Sequence, residues 1–154
     1  MAVRSAVVQK QLVTDALITM VAAGTARPCG DHGSPPGAVM SEGYTYVHSI
    51  DGGSFDGPGF WSPESDATLV YQITSVAGGP FGRKQAEWIA DRVRLTLVSR
   101  SAGGGFQVAF PSLVGMLVIH REPDGLSPGV IPEGPPESRV YSVPERYRIS
   151  VVST

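Results

Sequence analysis

The chain has very little cysteine: Cys29 is the one thiol in 154 residues. No disulfide framework can form within it, so a reducing compartment is the natural expectation. It also lacks an excess of positive charge, with 12 Lys/Arg against 14 Asp/Glu and a formal net charge of −2. A nonspecific DNA binder is normally basic, so that class is disfavoured. Long apolar runs are missing too. The early run ALITMVAAG is too short to span a bilayer and lies in one amphipathic pattern with Lys10 and Asp15. No signal-like segment stands out, so the expectation is a protein used without secretion and without a membrane. Its length fits a single domain, 1–154, able to bury a core without disulfide or metal.

Glycine and proline are plentiful, at 19 and 13 residues. They divide the chain into periodic segments and irregular links. Residues 3–22 read as a helix with an apolar stripe of Leu12, Val13, Ala16, Leu17, Met20 and Ala23, stopped at Gly24. Residues 25–43 have no periodicity and read as a long loop. YTYVHSI (44–50) and ATLVYQITSVA (67–77) alternate as an antiparallel strand pair, with Leu69, Tyr71 and Ile73 on one face. A second helix spans 83–99, followed by an irregular link over 100–112 and a buried strand over 113–121. After the Pro/Gly-rich stretch 122–138, residues 139–143 and 145–153 read as β-structure. Pro144 between them suggests a bend or an edge. The expected fold is α+β: two helices on one face of a mainly antiparallel sheet of about four strands, in the order α-β-β-α-β-β, with long Gly/Pro-rich loops.

The segments that might carry chemistry fall short of their templates. GGPFGRK (78–84) enters a helix as a phosphate loop does. A nucleotide-binding enzyme would use Gly78, Gly79, Gly82, Arg83 and Lys84. The required Gly-Lys-Ser/Thr order is missing, however, and Pro80 removes an N–H from the cradle. Cys29 and His32 have CxxH spacing without two further ligands nearby; His48 and His120 stand singly in strands. Asp51, Asp56, Glu64 and Asp66 cluster in one loop at spacings unlike an EF-hand. No nucleophile elbow or locally supported Cys–His arrangement occurs. The expectation is no enzyme, no cofactor, no metal and no catalytic residue.

Other features point to contacts. Phe55, Phe60 and Trp61 are large apolar groups in a Gly/Pro/Asp loop. They mark either a contact surface or a lid folded on the core. On the second helix, Ala86, Ile89, Ala90, Val93 and Leu97 share an apolar face, with Glu87, Asp91 and Arg94 opposite. Arg83 is spaced to pair with Glu87, and Trp88 to stack with Arg92. Charge is unevenly spread: residues 1–82 carry 3 Lys/Arg and 7 Asp/Glu (−4), residues 83–154 carry 9 and 7 (+2). Such asymmetry could serve head-to-tail docking, but on charge alone a mixed solvated surface is the better reading.

The succession GGSFDGP, DATLVYQITSVA, RKQAEWIADRVR and RVYSVPERYRI resembles the tail terminator proteins of long-tailed, siphovirus-type bacteriophages, especially those of actinobacteria. The likeness spans most of residues 3–152 and is most specific over 66–94, around QAEWIADRVR; loops 25–43 and 122–138 match least. The order of segments carries it, since the family has no catalytic signature. The resemblance implies a small α/β structural protein of the virion, assembled in the host cytoplasm. It would form a hexameric ring that caps the finished tail tube, stops tube polymerisation and offers the joining surface for the neck. Its implied partners are its own copies, the tail tube protein and head–tail connector proteins, with DNA passing through the lumen without specific binding. Another head–tail connector or neck completion protein is the alternative. Under this reading the expected subunit or tube interface draws on Phe55, Phe60, Trp61, Arg83, Arg92, Arg146 and Arg148.

Overall fold

The computed structural model describes residues 8–50, 54–56 and 66–154. Helix α1 (Lys10–Thr25) leads into strands β1 (Cys29–Asp31), β2 (Tyr44–Ser49), β3 (Ser54–Asp56) and β4 (Asp66–Gly78). Helix α2 (Gly82–Val98) follows, then β5 (Met116–Pro123), β6 (Ile131–Glu133), a 3-10 turn (Pro136–Ser138) and β7 (Val140–Ser153). The described strands form one sheet in the order β1-β2-β4-β7-β5, with β3 also on β4 and β6 also on β7. The α+β class and the two helices agree with the sequence reading. The sheet is larger than expected, at seven strands, and it is mixed because β1 runs parallel to β2. The three additional strands, β1, β3 and β6, have three residues each. A segment that short shows no alternation of its own, and only its partner defines it as a strand.

The long strands follow from alternation. Odd-numbered residues of β4 and β7 face the helices: Leu69, Tyr71 and Ile73 are buried with Tyr147, Ile149 and Val151. Val13, Leu17, Met20 and Val21 of α1 meet Ile89, Val93 and Leu97 of α2 over that face in one core. Each such side chain contributes about 1.5–3 kcal/mol when fully removed from water. The expected face of α2 is the buried one.

Three expectations need correction in the helix layer. Residues 1–7 lie outside the described residues, and α1 starts only at Lys10. Leu12 and Ala23 are exposed, and Val21 takes a core place instead. Gly24 does not stop the helix, which runs on to Thr25 and closes at Ala26 with φ 55°. Gly24 is needed for packing: a Cβ there would lie 2.1 Å from Thr96 Oγ1. The two helices touch backbone to side chain at this point.

Pro144 neither bends nor ends its strand. β7 runs unbroken from Val140 to Ser153, between β4 on one side and β5 and β6 on the other. The Arg146 carbonyl accepts from the Asp124 N–H at 2.8 Å, so the backbone groups of Arg146 turn away from β4. Two residues earlier, Pro144 turns the same way. β6 pairs residues 140–142 of β7 and β5 pairs 147–153, so Pro144 falls in the interval between them. Its missing N–H therefore costs no ladder bond. The strand expected over 113–121 is likewise not a buried one. β5 pairs only with β7, and Leu117 and Ile119 are 55% and 54% exposed.

One polar tie joins α2 to the sheet. Arg94 Nε donates to both carboxylate oxygens of Glu145, at 2.9 and 3.1 Å, and its Nη1 meets Asp91 at 2.8 Å. Glu145 is buried on the helix-facing side of β7 beside Tyr147. Arg94→Ala leaves that carboxylate without its cation and is expected to cost about 2 kcal/mol, the range for a hydrogen bond to a charged group. Urea denaturation measures this, and adding Glu145→Gln should restore most of the loss. No change on Arg94→Ala would show that the tie contributes nothing.

The buried tyrosines set an alkaline limit. Burial pushes the Tyr71 phenol up to about 12, although its hydrogen bond with Thr14 works the other way. Tyr147 is also raised, by burial and then by the Glu145 charge. Unfolded tyrosines lose their protons near pH 10. The folded state holds these protons more tightly, so their contribution is full below about pH 10 and is lost above it, that of Tyr71 as pH rises through about 12. Urea midpoints should fall steeply over that interval, together with phenolate absorbance from the last tyrosines to titrate. A flat midpoint would contradict this.

Candidate interaction surface

The turn Gly78–Phe81 starts α2 without a side-chain cap. Gly79, at φ 82°, supplies the left-handed residue that the turn requires. The Gly82 N–H donates to the Gly79 carbonyl at 3.1 Å, and the Gln85 N–H to the Phe81 carbonyl at 2.9 Å. These donors serve the turn itself. What faces outward is apolar and cationic. Phe81 is 68% exposed and Trp88, two turns on, 45%. With Arg27, Lys84 and Gln85 they line an open recess of about 520 Å³.

Arg27 is fixed in place from the α1–β1 connection. Its Nε donates to the Glu42 carbonyl at 2.8 Å, and its Cζ lies 5.3 Å from the centroid of the Trp88 ring. Such a contact adds about 0.5–1 kcal/mol at an exposed site. It replaces the expected Trp88–Arg92 stack. Arg92 instead reaches α1, its Nε donating to the Gly24 carbonyl at 3.2 Å. Trp88 therefore does not seal the core. It stands at the rim of a recess whose cation comes from a distant part of the chain.

The other expected interface residues scatter. Arg83 is exposed and pairs with Glu87 at 3.7 Å, as its spacing foretold. Arg92 lies half-buried between the helices. Phe60 and Trp61 lie outside the described residues; Phe55 belongs to β3, its backbone paired opposite Ala67. Arg146 and Arg148 lie on the sheet face away from the helices, across from Gln72 and Val70. Arg148 is neutralised by Glu122 at 3.3 Å and Asp124 at 2.7 Å. Arg146 forms no ion pair among the described residues.

Arg146 continues a row across three strands, His48–Gln72–Arg146. His48 stacks on Tyr46 at a centroid distance of 6.1 Å and lies 6.3 Å from His32. Its pKa is lowered by partial burial first, then by His32 and Arg146. Neither helix covers this face. The molecule thus offers two unlike surfaces, an aromatic-cationic recess on the helix layer and a polar, imidazole-rich sheet face.

Cys29 and His32 do not converge on a metal site. The thiol is raised to about 11, chiefly by burial, while His32 Nδ1 bonds the adjacent Asp31 carboxylate. Among the described residues no group of three or more His, Cys, Asp or Glu could hold a metal ion. No described helix is long and apolar enough to cross a membrane. Sequence reasoning missed Arg27 and Phe81. Phe81 carried a signal, a large apolar residue in a Gly/Pro turn like Phe60; Arg27 carried none, because its partner lies far along the chain.

Fold and surface together define an α+β protein with two helices on one face of a mixed sheet and an aromatic-cationic recess at the start of the second helix. No protein-family model matches the chain, and no curated protein matches it significantly.

Proposed function

We propose that the chain is a ring-forming tail terminator, which caps the completed tail tube, stops its polymerisation and presents the joining surface for the neck. The observation that carries this reading is the joint exposure of Phe81 and Trp88 beside Arg27 and Lys84. Aromatic and Arg side chains are the groups enriched at protein–protein contacts. Phe81, Lys84 and Trp88 fall within the passage 66–94, where the resemblance to tail terminators is most specific, and Arg27 joins them from outside it. That passage folds as one strand–turn–helix unit, with its apolar face spent on the core.

A ring requires heterologous contacts, one patch against a different one. The recess and the open sheet face lie on opposite layers and differ in chemistry, which fits that requirement. The tail tube protein and neck proteins are the proposed partners beyond the chain's own copies, with hexamers the proposed ring. The experiment is electron microscopy of tail tubes incubated with the protein. Rings on one tube end, with tube growth arrested, are expected. Protein bound at the head-side connector instead would move the assignment to a neck completion protein.

A further inference from the structure

β5 is an edge strand whose inward side carries one charged residue, Arg121, only 4% exposed. Its Nη2 donates to the Val108 carbonyl at 2.7 Å, and Nη1 lies 3.7 Å from the Met20 sulfur. Its Cζ sits 4.1 Å from the centroid of the Phe106 ring. Arg121 pairs with no carboxylate among the described residues, whereas Arg94 and Arg148 each have one or more. The charged group that acts on it most is Arg100, a like charge whose Cζ lies 4.5 Å from the same Phe106 ring.

Buried charges in folded proteins are normally paired, because desolvation without a counter-ion is costly. A carbonyl, a thioether and a ring face give partial compensation and leave the net charge unmatched. Arg121 also lines a cavity of about 440 Å³ walled by Phe106, Phe110, Leu113, Met116 and Leu117. That volume is in the range of small-ligand sites, roughly 300–1,000 Å³. Largely apolar side chains around one cation suit an anion with an apolar body. They suit a strongly hydrated phosphate less well. The planar guanidinium keeps further N–H donors and matches a carboxylate in fork geometry.

We infer that this cavity binds a carboxylate carried on an apolar body, with Arg121 as its counter-ion. Binding of the carboxylate does not depend on the ring reading; only the assignment of its source, in the last arm of the test, rests on it. The carboxylate has two sources: a free organic acid, or an acidic residue set among apolar ones on a neighbouring protein chain.

The test uses 4-phenylbutyrate and its neutral amide, titrated into the protein with chemical shifts or calorimetry as readout. Saturable one-to-one binding of the carboxylate is expected, at least about tenfold tighter than the amide. Arg121→Met should erase that preference. Should Arg121→Met fail to fold, Ser112→Trp serves instead. Ser112 is an exposed residue on the cavity wall, and its enlargement should block the probe while leaving the core intact. Equal affinity for acid and amide, or no saturation below about 10 mM, a dissociation constant too weak for a formed site, overturns the inference. Titration of tube-bound protein then separates the sources: lost binding identifies a neighbour's carboxylate in the cavity, retained binding a free acid.

Discussion

Trp88→Ala combined with Phe81→Ala should abolish ring assembly while leaving the fold intact. Both rings are substantially exposed, so their loss opens no cavity in the core. Surface substitutions of this kind usually change stability by no more than about 0.5 kcal/mol. Assembly is another matter. A buried aromatic hot spot contributes about 2 kcal/mol or more, roughly 30-fold in a dissociation constant for each residue. On the proposed ring reading, six repeated contacts in a hexamer would multiply the deficit, so closed rings should be absent under conditions where that reading expects the unaltered protein to form them. Sedimentation velocity reads assembly, and thermal melting reads the fold. Intact rings would remove the recess from the interface; a collapsed melting temperature would show that Trp88 supports the core after all.

Gly24→Ala should destabilise the monomer, against the preference of an isolated helix. In an exposed helix interior the change would gain about 0.5–1 kcal/mol, because glycine loses more backbone freedom on folding. Here the new Cβ would meet three atoms of Thr96, at 2.1, 2.6 and 2.8 Å. The Thr96 hydroxyl is tied to the Arg92 carbonyl at 2.7 Å, and the side chain is buried, so it cannot swing away freely. Overpacking of this kind costs typically about 1–3 kcal/mol, and the balance is a net loss. The Arg92 bond to the Gly24 carbonyl crosses the same contact and would be strained with it. Gly24→Ala combined with Thr96→Ala should recover most of the loss, giving a strongly non-additive double-mutant cycle. Additive losses, or a more stable single variant, would mean that the helices have room to separate.

Periodic segments were the legible part of this fold. The face of α2, the pairing of β2 with β4 and the inward row Tyr147, Ile149 and Val151 all follow from spacing alone. Position-dependent features were illegible, because they depend on what stands opposite. Pro144 is harmless only because β6 and β5 leave an interval beside it. Gly24 reads as a helix stop until Thr96 is brought against it. The same limit applies at the surface. Trp88 and Arg92 are spaced to stack, but the partner of Trp88 is Arg27 and not Arg92. Arg121 lay inside a segment that read as a buried strand, and nothing local showed that its charge would be left without a carboxylate.

The most direct measurement of the central claim is imaging of growing tail tubes with and without this protein. The account predicts ring-shaped density at one end of each tube, tubes of fixed length in its presence, and neither effect with the Phe81/Trp88 double variant. Tubes that keep growing with bare ends, at protein concentrations well above that of the tubes, would contradict it.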